Sequence, residues 1–194
     1  MLFPSKAPGA RPFISGVRHQ MEREVILPII VPRTYFQFDN WPGPYKFLKH
    51  PELAVTWVDT SKPDTMLYVN FECQKQLEAT GESLHSLAMH NLRAVGMLTT
   101  HEKVEAGKVI FRAMMHSDGL GTSRLLLLPE LAELYPEGYV AGIPERSCGV
   151  VTSKILVEGH RHEVLEMVNA CYERGTTPML PGFIEAEQFQ VLDA

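Results

Sequence analysis

The chain has 194 residues, of which 45% are hydrophobic and 21% are charged, and its formal net charge at pH 7 is -5. This composition is typical of an ordinary globular protein with one domain. Its acidic balance and scattered basic residues exclude the concentrated positive surface that nucleic-acid binding requires. No apolar stretch approaches the roughly 20 residues of a membrane-spanning helix. The N-terminal sequence lacks the apolar core of a signal peptide, so we expect a cytoplasmic protein that does not bind membranes.

The three cysteines, Cys73, Cys148 and Cys171, are widely spaced and include no C-x-x-C pair. This pattern disfavours a disulfide framework or a zinc knuckle, and it is typical of small apolar core residues. His160 and His162 would diverge on a helix, where residues two apart point in nearly opposite directions. The sequence therefore predicts no metal site and no cofactor.

Residues 1–20 are rich in Pro, Gly, Arg and Lys without apolar periodicity, which predicts a mobile arm ahead of a single domain at 21–194. The stretch "EVILPIIVP" at 24–32 predicts the first strand. Aromatic residues then crowd around a Trp-Pro-Gly-Pro turn at 41–44. Of these, Phe36 and Phe38 alternate as expected for core residues of a strand.

In the middle of the chain, 53–60 and 65–71 predict two strands of a hairpin around "SKPD". A short helix is expected from Glu72 to Thr80, closed by Gly81, and Ser83 can cap a second helix. One face of that second helix carries Leu84, Leu87, Ala88, Asn91, Leu92 and Val95. Because a buried amide must find partners, Asn91 is expected to bond to a strand backbone.

The second half begins with a predicted strand at 108–116 and a helix from Pro129 to near Gly138. Strands "GYVAGIP" and "SCGVVTSKIL" follow, joined by the tight connection "PERS" at 144–147. A last helix covers His160 to Arg174, with Gly175 as its stop. Its inner side is expected to hold Val164, Leu165, Met167, Val168 and Cys171. The order lacks a βαβ rhythm, which predicts an α+β fold with a mixed, largely antiparallel sheet and helices packed on one face.

Three stretches carry a resemblance to a known family: 55–94, with its Leu-His-x-x-Ala-x-x-Asn-Leu helix, "SDGLGTSRLLLLPELAEL" at 117–134, and "GYVAGIPERSCGVV" at 138–151. Together with the closing helix they resemble the YtpQ-like family of uncharacterised bacterial proteins, over about residues 53–175. The resemblance implies an α+β bacterial cytosolic protein. It implies no catalytic residues.

The glycine turn at 116–124, "HSDGLGTSR", is the first candidate site. Backbone N–H groups around its glycines could bind an anion, with donors from neighbouring side chains. The candidate ligand-binding residues are Asp118, Gly119, Gly121, Ser123 and Arg124, with Arg146 from "PERS". Neither the P-loop nor the dinucleotide fingerprint is complete. We therefore favour a turn that delivers a helix, with Thr122 or Ser123 as its cap.

No catalytic group is expected. His116, Ser117 and Asp118 are consecutive, so their side chains point apart and cannot form a hydrolytic triad. Cys148 follows Arg146 closely, but strand alternation is expected to pack its thiol beneath a helix.

The second candidate site is a surface for another protein. Trp41, Tyr45 and Phe47 lie near a proline-stiffened loop, and rigid aromatic residues are typical interface anchors. Glu145 of "PERS" is a further candidate contact. The leading prediction is a non-catalytic protein-binding or regulatory module that binds another protein or itself. Two alternatives stay open: a small-molecule or phosphate-ester binding enzyme or sensor that uses the glycine turn, and an inhibitor or immunity-type protein.

Overall fold

The computed structural model of the chain describes residues 23–37, 41–62, 65–96, 99–116 and 119–192. The predicted arm at 1–20, Phe38 and Asp118 lie outside these ranges. The described residues form a single-domain α+β fold with antiparallel strand pairing, which confirms the predicted fold class. Their strands divide into two sheets, however, where the sequence predicted one.

The first sheet is centred on strand β3, Leu53–Asp59. Strand β1, Ile26–Pro32, pairs antiparallel along the whole of one side of β3. Two short strands share its other side: β2, Tyr45–Phe47, and β4, Leu67–Tyr68. The β3–β4 pairing confirms the predicted hairpin. All of β3 and nearly all of β1 are buried, so both faces of this sheet are covered.

The second sheet has the order β5-β6-β8-β7-β9. Its strands are β5, His101–Glu105; β6, Lys108–Met115; β7, Tyr139–Glu145; β8, Cys148–Ser153; and β9, Ile184–Glu185. The tight β7–β8 connection is as predicted, with Glu145 opposite Cys148. Strand β5 was not predicted, because its residues are mostly exposed and carry no apolar alternation.

Four α-helices are described: α1, Phe71–Glu78; α2, Leu84–Val95; α3, Leu128–Leu134; and α4, Glu158–Arg174. Ser83 caps α2 as predicted, because its Oγ accepts a hydrogen bond from the backbone N–H of Ser86 at 3.1 Å. The α2 face packs on the first sheet, although Val95 at its end is exposed. No helix in the described ranges is both long enough and apolar enough to cross a membrane.

Helix α4 covers the second sheet through Val164 and Val168. Leu165 and Met167 are half-buried beside this stripe, whereas Cys171 is exposed. The expectation that Cys171 is a core residue was therefore wrong: although it shares a helix face with Val164, it lies in the last turn of α4 and is exposed.

Asn91 of α2 connects the helix to the start of the first sheet. Its amide nitrogen donates to the backbone oxygen of Arg23 at 2.6 Å and to that of Ile26 at 2.9 Å. This bonding confirms the predicted role of the buried amide, because both acceptors are main-chain carbonyls: Ile26 begins β1, and Arg23 lies three residues before it.

The main core lies between the two sheets. It combines residues of β1 and β3 with residues of β6, β7 and β8, and the segment after the glycine turn fills the space between them. Leu120, Leu125 and Leu127 are at most 1% exposed. The leucine run is thus a central part of the core.

Candidate functional site

Three aromatic rings form a partly exposed surface on the first sheet, which we call the aromatic face: Phe36, Tyr45 and Phe47. Tyr45 and Phe47 are two residues apart on β2, so their side chains point to the same side of the sheet. Their ring centroids are 5.3 Å apart, and the residues are 40% and 37% exposed. Phe36 stacks on Tyr45, with 4.1 Å between centroids.

Phe36 does not lie in a strand, as had been expected, but in the 3-10 helix Arg33–Phe36. The Arg33 side chain donates to the backbone oxygens of Leu48, His50 and Leu53, and these bonds fix the chain where β1 ends. The turn at this point carries Phe36 across to Tyr45.

Trp41 supports the aromatic face from behind. Its ring meets Phe36 edge-on at 4.9 Å and Tyr68 edge-on at 4.8 Å. Because Tyr68 is buried in the core, an unbroken series of rings runs from the surface into the interior. The sequence singled out Trp41 as an interface anchor. Its side chain is half-buried, and its ring supports the neighbouring rings.

Arg33 holds the other end of the aromatic face. Its guanidinium carbon lies 4.3 Å from the ring centroid of Phe47, a cation–π arrangement. The three hydrogen bonds that Arg33 makes to backbone carbonyls fix its position and so restrict the Phe47 ring. The aromatic face is therefore ordered before any partner binds, which lowers the entropic cost of binding.

The C-terminal segment extends along the outer edge of β2. The N–H of Leu192 donates to the oxygen of Phe47 at 2.8 Å, and the N–H of Lys49 donates to the oxygen of Gln190 at 2.8 Å. Leu192 is 41% exposed. This pairing adds a further exposed apolar side chain next to β2.

The described part of the glycine turn lies inside the protein. Ser123 is 0% exposed and Arg124 is 1% exposed. A Cβ atom on Gly121 would lie 1.9 Å from the backbone oxygen of Ser147 and 2.2 Å from that of Met114. Glycine is thus required here because the main chain of the turn lies directly against β6 and the β7–β8 connection. This burial favours a structural role for the turn.

The glycine turn and the "PERS" connection are in contact. The hydroxyl of Thr122 donates to the backbone oxygen of Arg146 at 2.8 Å. The 3-10 helix Thr122–Leu126 begins without a side-chain cap, so the predicted capping by Thr122 or Ser123 was wrong. Gly119 adopts φ +70°, which suits a glycine. Arg124 directs its Nε to the oxygen of Gly96 at 3.2 Å.

Glu145 is held by hydrogen bonds from its own connection and from Thr177, which follows α4. Its carboxylate accepts from the backbone N–H of Ser147 at 2.9 Å and from the hydroxyls of Ser147 and Thr177. Burial alone would raise the pKa of Glu145, but these hydrogen bonds and the charge of Arg146 together outweigh it and hold the pKa below its usual value. Glu145 belongs to the second sheet, whereas the aromatic face lies on the first.

Cys148 packs beneath α4 with Val164 and Val168, as strand alternation predicted. Burial raises the pKa of its thiol to about 12, with smaller contributions from Cys171 and Glu145. The thiol is therefore protonated at neutral pH, which disfavours a role as a nucleophile.

A charged cluster joins the β5–β6 hairpin to the start of α4, and sequence reasoning missed it because β5 was not predicted. Ligand atoms of Glu105, His160 and Glu163 lie within 4.8 Å of one another, an arrangement that could hold a metal ion. The ammonium of Lys103 lies between the two carboxylates, 2.5 Å from Glu163 and 3.0 Å from Glu105. The positive charge of Lys103 already neutralises part of the negative charge that would attract a metal ion to this cluster.

Comparison with known protein families, with curated proteins and with solved structures found no match to the chain. The resemblance to the YtpQ-like family therefore stays a prediction.

Proposed function

We propose that this chain is a non-catalytic protein-binding module of the bacterial cytoplasm, related to the YtpQ-like family, and that its partner docks on the aromatic face. The observation that carries the proposal is the ordered, exposed pair of rings on β2, Tyr45 and Phe47, held by Phe36 and Arg33.

Rigid aromatic side chains are effective binding anchors. They bury a large apolar area, and they lose little conformational freedom because few torsions remain to be fixed. In the aromatic face even those torsions are restricted, since Phe36 stacks on one ring and Arg33 lies over the other. Binding energy in protein interfaces concentrates in such residues.

Burial separates this proposal from the ligand-binding alternative at the glycine turn. Ser123 and Arg124 are enclosed by the core, so a dissolved anion would have to open the protein to reach them. Tyr45 and Phe47 need no rearrangement to meet a partner.

Site-specific photo-crosslinking in the native host tests the proposal. Benzoylphenylalanine at position 47 should give one dominant protein adduct. The matched control is the same residue at position 155, because Ile155 is 68% exposed and lies after β8 in the second sheet. An adduct at 47 that is absent at 155 supports the proposal. No protein adduct at 47, or the same adducts at both positions, would contradict it.

A further inference from the structure

A cavity of about 190 Å³ lies on the other side of the first sheet from the aromatic face, between α2, the segment that leads into α3, and the C-terminal segment. Its walls are mostly apolar, with polar groups from two residues. The lining residues are His85, Met89, Leu126, Leu128, Phe189, Gln190 and Val191.

The walls of the cavity are fixed by contacts that do not depend on a ligand. Leu126 and Phe189 belong to the main core. The C-terminal wall is held by backbone bonds from Lys49 to Gln190, at 2.8 Å, and from His50 to Gln188, at 2.9 Å. The cavity is therefore pre-formed, as small-molecule sites usually are.

The cavity has the size of a small ring compound. A dry apolar cavity of about 150 Å³ takes up benzene. This cavity is somewhat larger and is open to solvent on one side, and a ring with one small substituent matches its volume.

His85 is the ionisable side chain in the wall. Its Nδ1 is buried, which leaves Nε2 as the ring nitrogen that can contact a ligand, and its ring meets Trp57 edge-on at 6.0 Å. Burial lowers the pKa of His85, and the charges of Lys46 and Arg93 lower it further. The imidazole is therefore neutral at neutral pH and can donate one hydrogen bond and accept another.

The charges around the cavity favour an anion. Lys46 lies between Tyr45 and Phe47 on β2, so alternation places its side chain on the opposite side of the sheet, where α2 packs. Arg93 follows His85 on the same helix. The carboxylate of Glu130 lies 2.7 Å from the guanidinium of Arg93 and offsets its positive charge. This ion pair does not offset the positive charge of Lys46. Among the residues that the structure describes, none that lines the cavity is acidic.

We propose that this cavity binds a small, largely apolar carboxylate of about the size of benzoate. The ring or alkyl body lies against Met89, Leu126 and Phe189, and the carboxylate lies toward His85 on the Lys46 side. This site is separate from the aromatic face, so either proposal can fail without the other.

Methyl NMR of the full chain tests this site. The protein is labelled at its methionine methyl groups, the Met89 signal is assigned with Met89→Leu, and benzoate and benzylamine are titrated separately. Benzoate should shift the Met89 signal saturably, and benzylamine should bind more weakly because it carries the opposite charge. His85→Phe keeps a ring against Trp57 but should weaken benzoate about tenfold, the effect of losing one hydrogen bond to a charged group.

The control variant is His90→Ala, because His90 is exposed on the same helix and does not line the cavity. Its benzoate affinity should equal that of the parent protein. The proposal is overturned if benzoate gives no saturable shift, if benzylamine binds as tightly, or if His85→Phe binds benzoate unchanged. The comparison of the two probes needs no variant, so the test stands even if His85→Phe does not fold.

Discussion

Phe36 lies face to face on Tyr45, with ring centroids 4.1 Å apart and 19° between the ring planes. Phe36 comes from the turn after β1, and Tyr45 comes from β2. Because β1 and β2 pair with opposite sides of β3, the stack joins segments from the two edges of this strand. An exposed ring on a three-residue strand is thus held by a ring that is itself half-buried.

Removing the supporting ring should cost stability. Phe36→Ala should lower the free energy of unfolding by about 1–2 kcal/mol, less than the ~3–5 kcal/mol of a fully buried Phe→Ala change, because Phe36 is half-buried. Urea denaturation measures this difference. The control is Phe71→Ala, at a residue that is 50% exposed, and it should cost less. Equal losses in the two variants would mean that the stack does not stabilise the fold.

The contact between the glycine turn and the second sheet leaves no space for a side chain. Gly121→Ala should lower the free energy of unfolding by more than about 4 kcal/mol, because the new Cβ would overlap two backbone oxygens that cannot turn aside. Gly159→Ala is the matched control, since a Cβ there meets no atom within 4 Å. It should leave the stability unchanged or raise it by up to about 1 kcal/mol. Thermal unfolding distinguishes the two, and a stable Gly121→Ala protein would contradict the burial of this turn.

The lowered pKa of Glu145 predicts a pH dependence of stability. The folded state holds the carboxylate in its ionised form, so its contribution is present above the ordinary pKa of 4.5 and is lost as the pH falls through the lower folded pKa. The stability difference between the parent protein and Glu145→Gln should therefore be largest near neutral pH and shrink below pH 4.5. Thr177→Val, which removes one donor, should reduce this pH dependence. A difference that does not change with pH would contradict the assignment.

The cysteines should differ in reactivity. At pH 8 a thiol reagent should modify Cys171 quickly, because Cys171 is exposed. Cys148 should react only after unfolding, because burial both blocks access and raises its pKa to about 12. Cys73 is half-buried, and burial raises the pKa of its thiol, so it should react more slowly than Cys171. Cys171→Ser should therefore remove the fastest reaction, as followed by mass spectrometry of the labelled peptides. Fast labelling of Cys148 in the folded protein would mean that α4 does not cover it.

Local signals in the sequence predicted the elements well. Ser83 and the apolar face of α2 identified that helix, and the turn residues at 144–147 identified the β7–β8 connection. Strand pairing between distant segments is not encoded locally, so the division into two sheets could not be predicted. The short strand β2 was also missed. Its three residues pair only with β3, and three residues are too few to show the alternation of apolar and polar residues that predicts a strand.

The candidate site was predicted in part. The sequence singled out Tyr45 and Phe47, and the structure places both on one exposed face. The support from Phe36 and Arg33 depends on how the chain turns after β1, which is a tertiary property. Arg124 shows the opposite case: an arginine beside two glycines is typical of an anion site, yet packing between the sheets buries it.

The measurement that tests the central claim most directly is affinity capture of the tagged chain from its native host, followed by a binding titration with the purified partner. Tyr45→Ala/Phe47→Ala, shown by circular dichroism to be folded, should weaken binding of that partner by at least about 2 kcal/mol, the loss typical of interface hot spots. Ile155→Ala should bind like the parent protein. A partner that binds the double variant with unchanged affinity would contradict the assignment of the aromatic face as the docking surface.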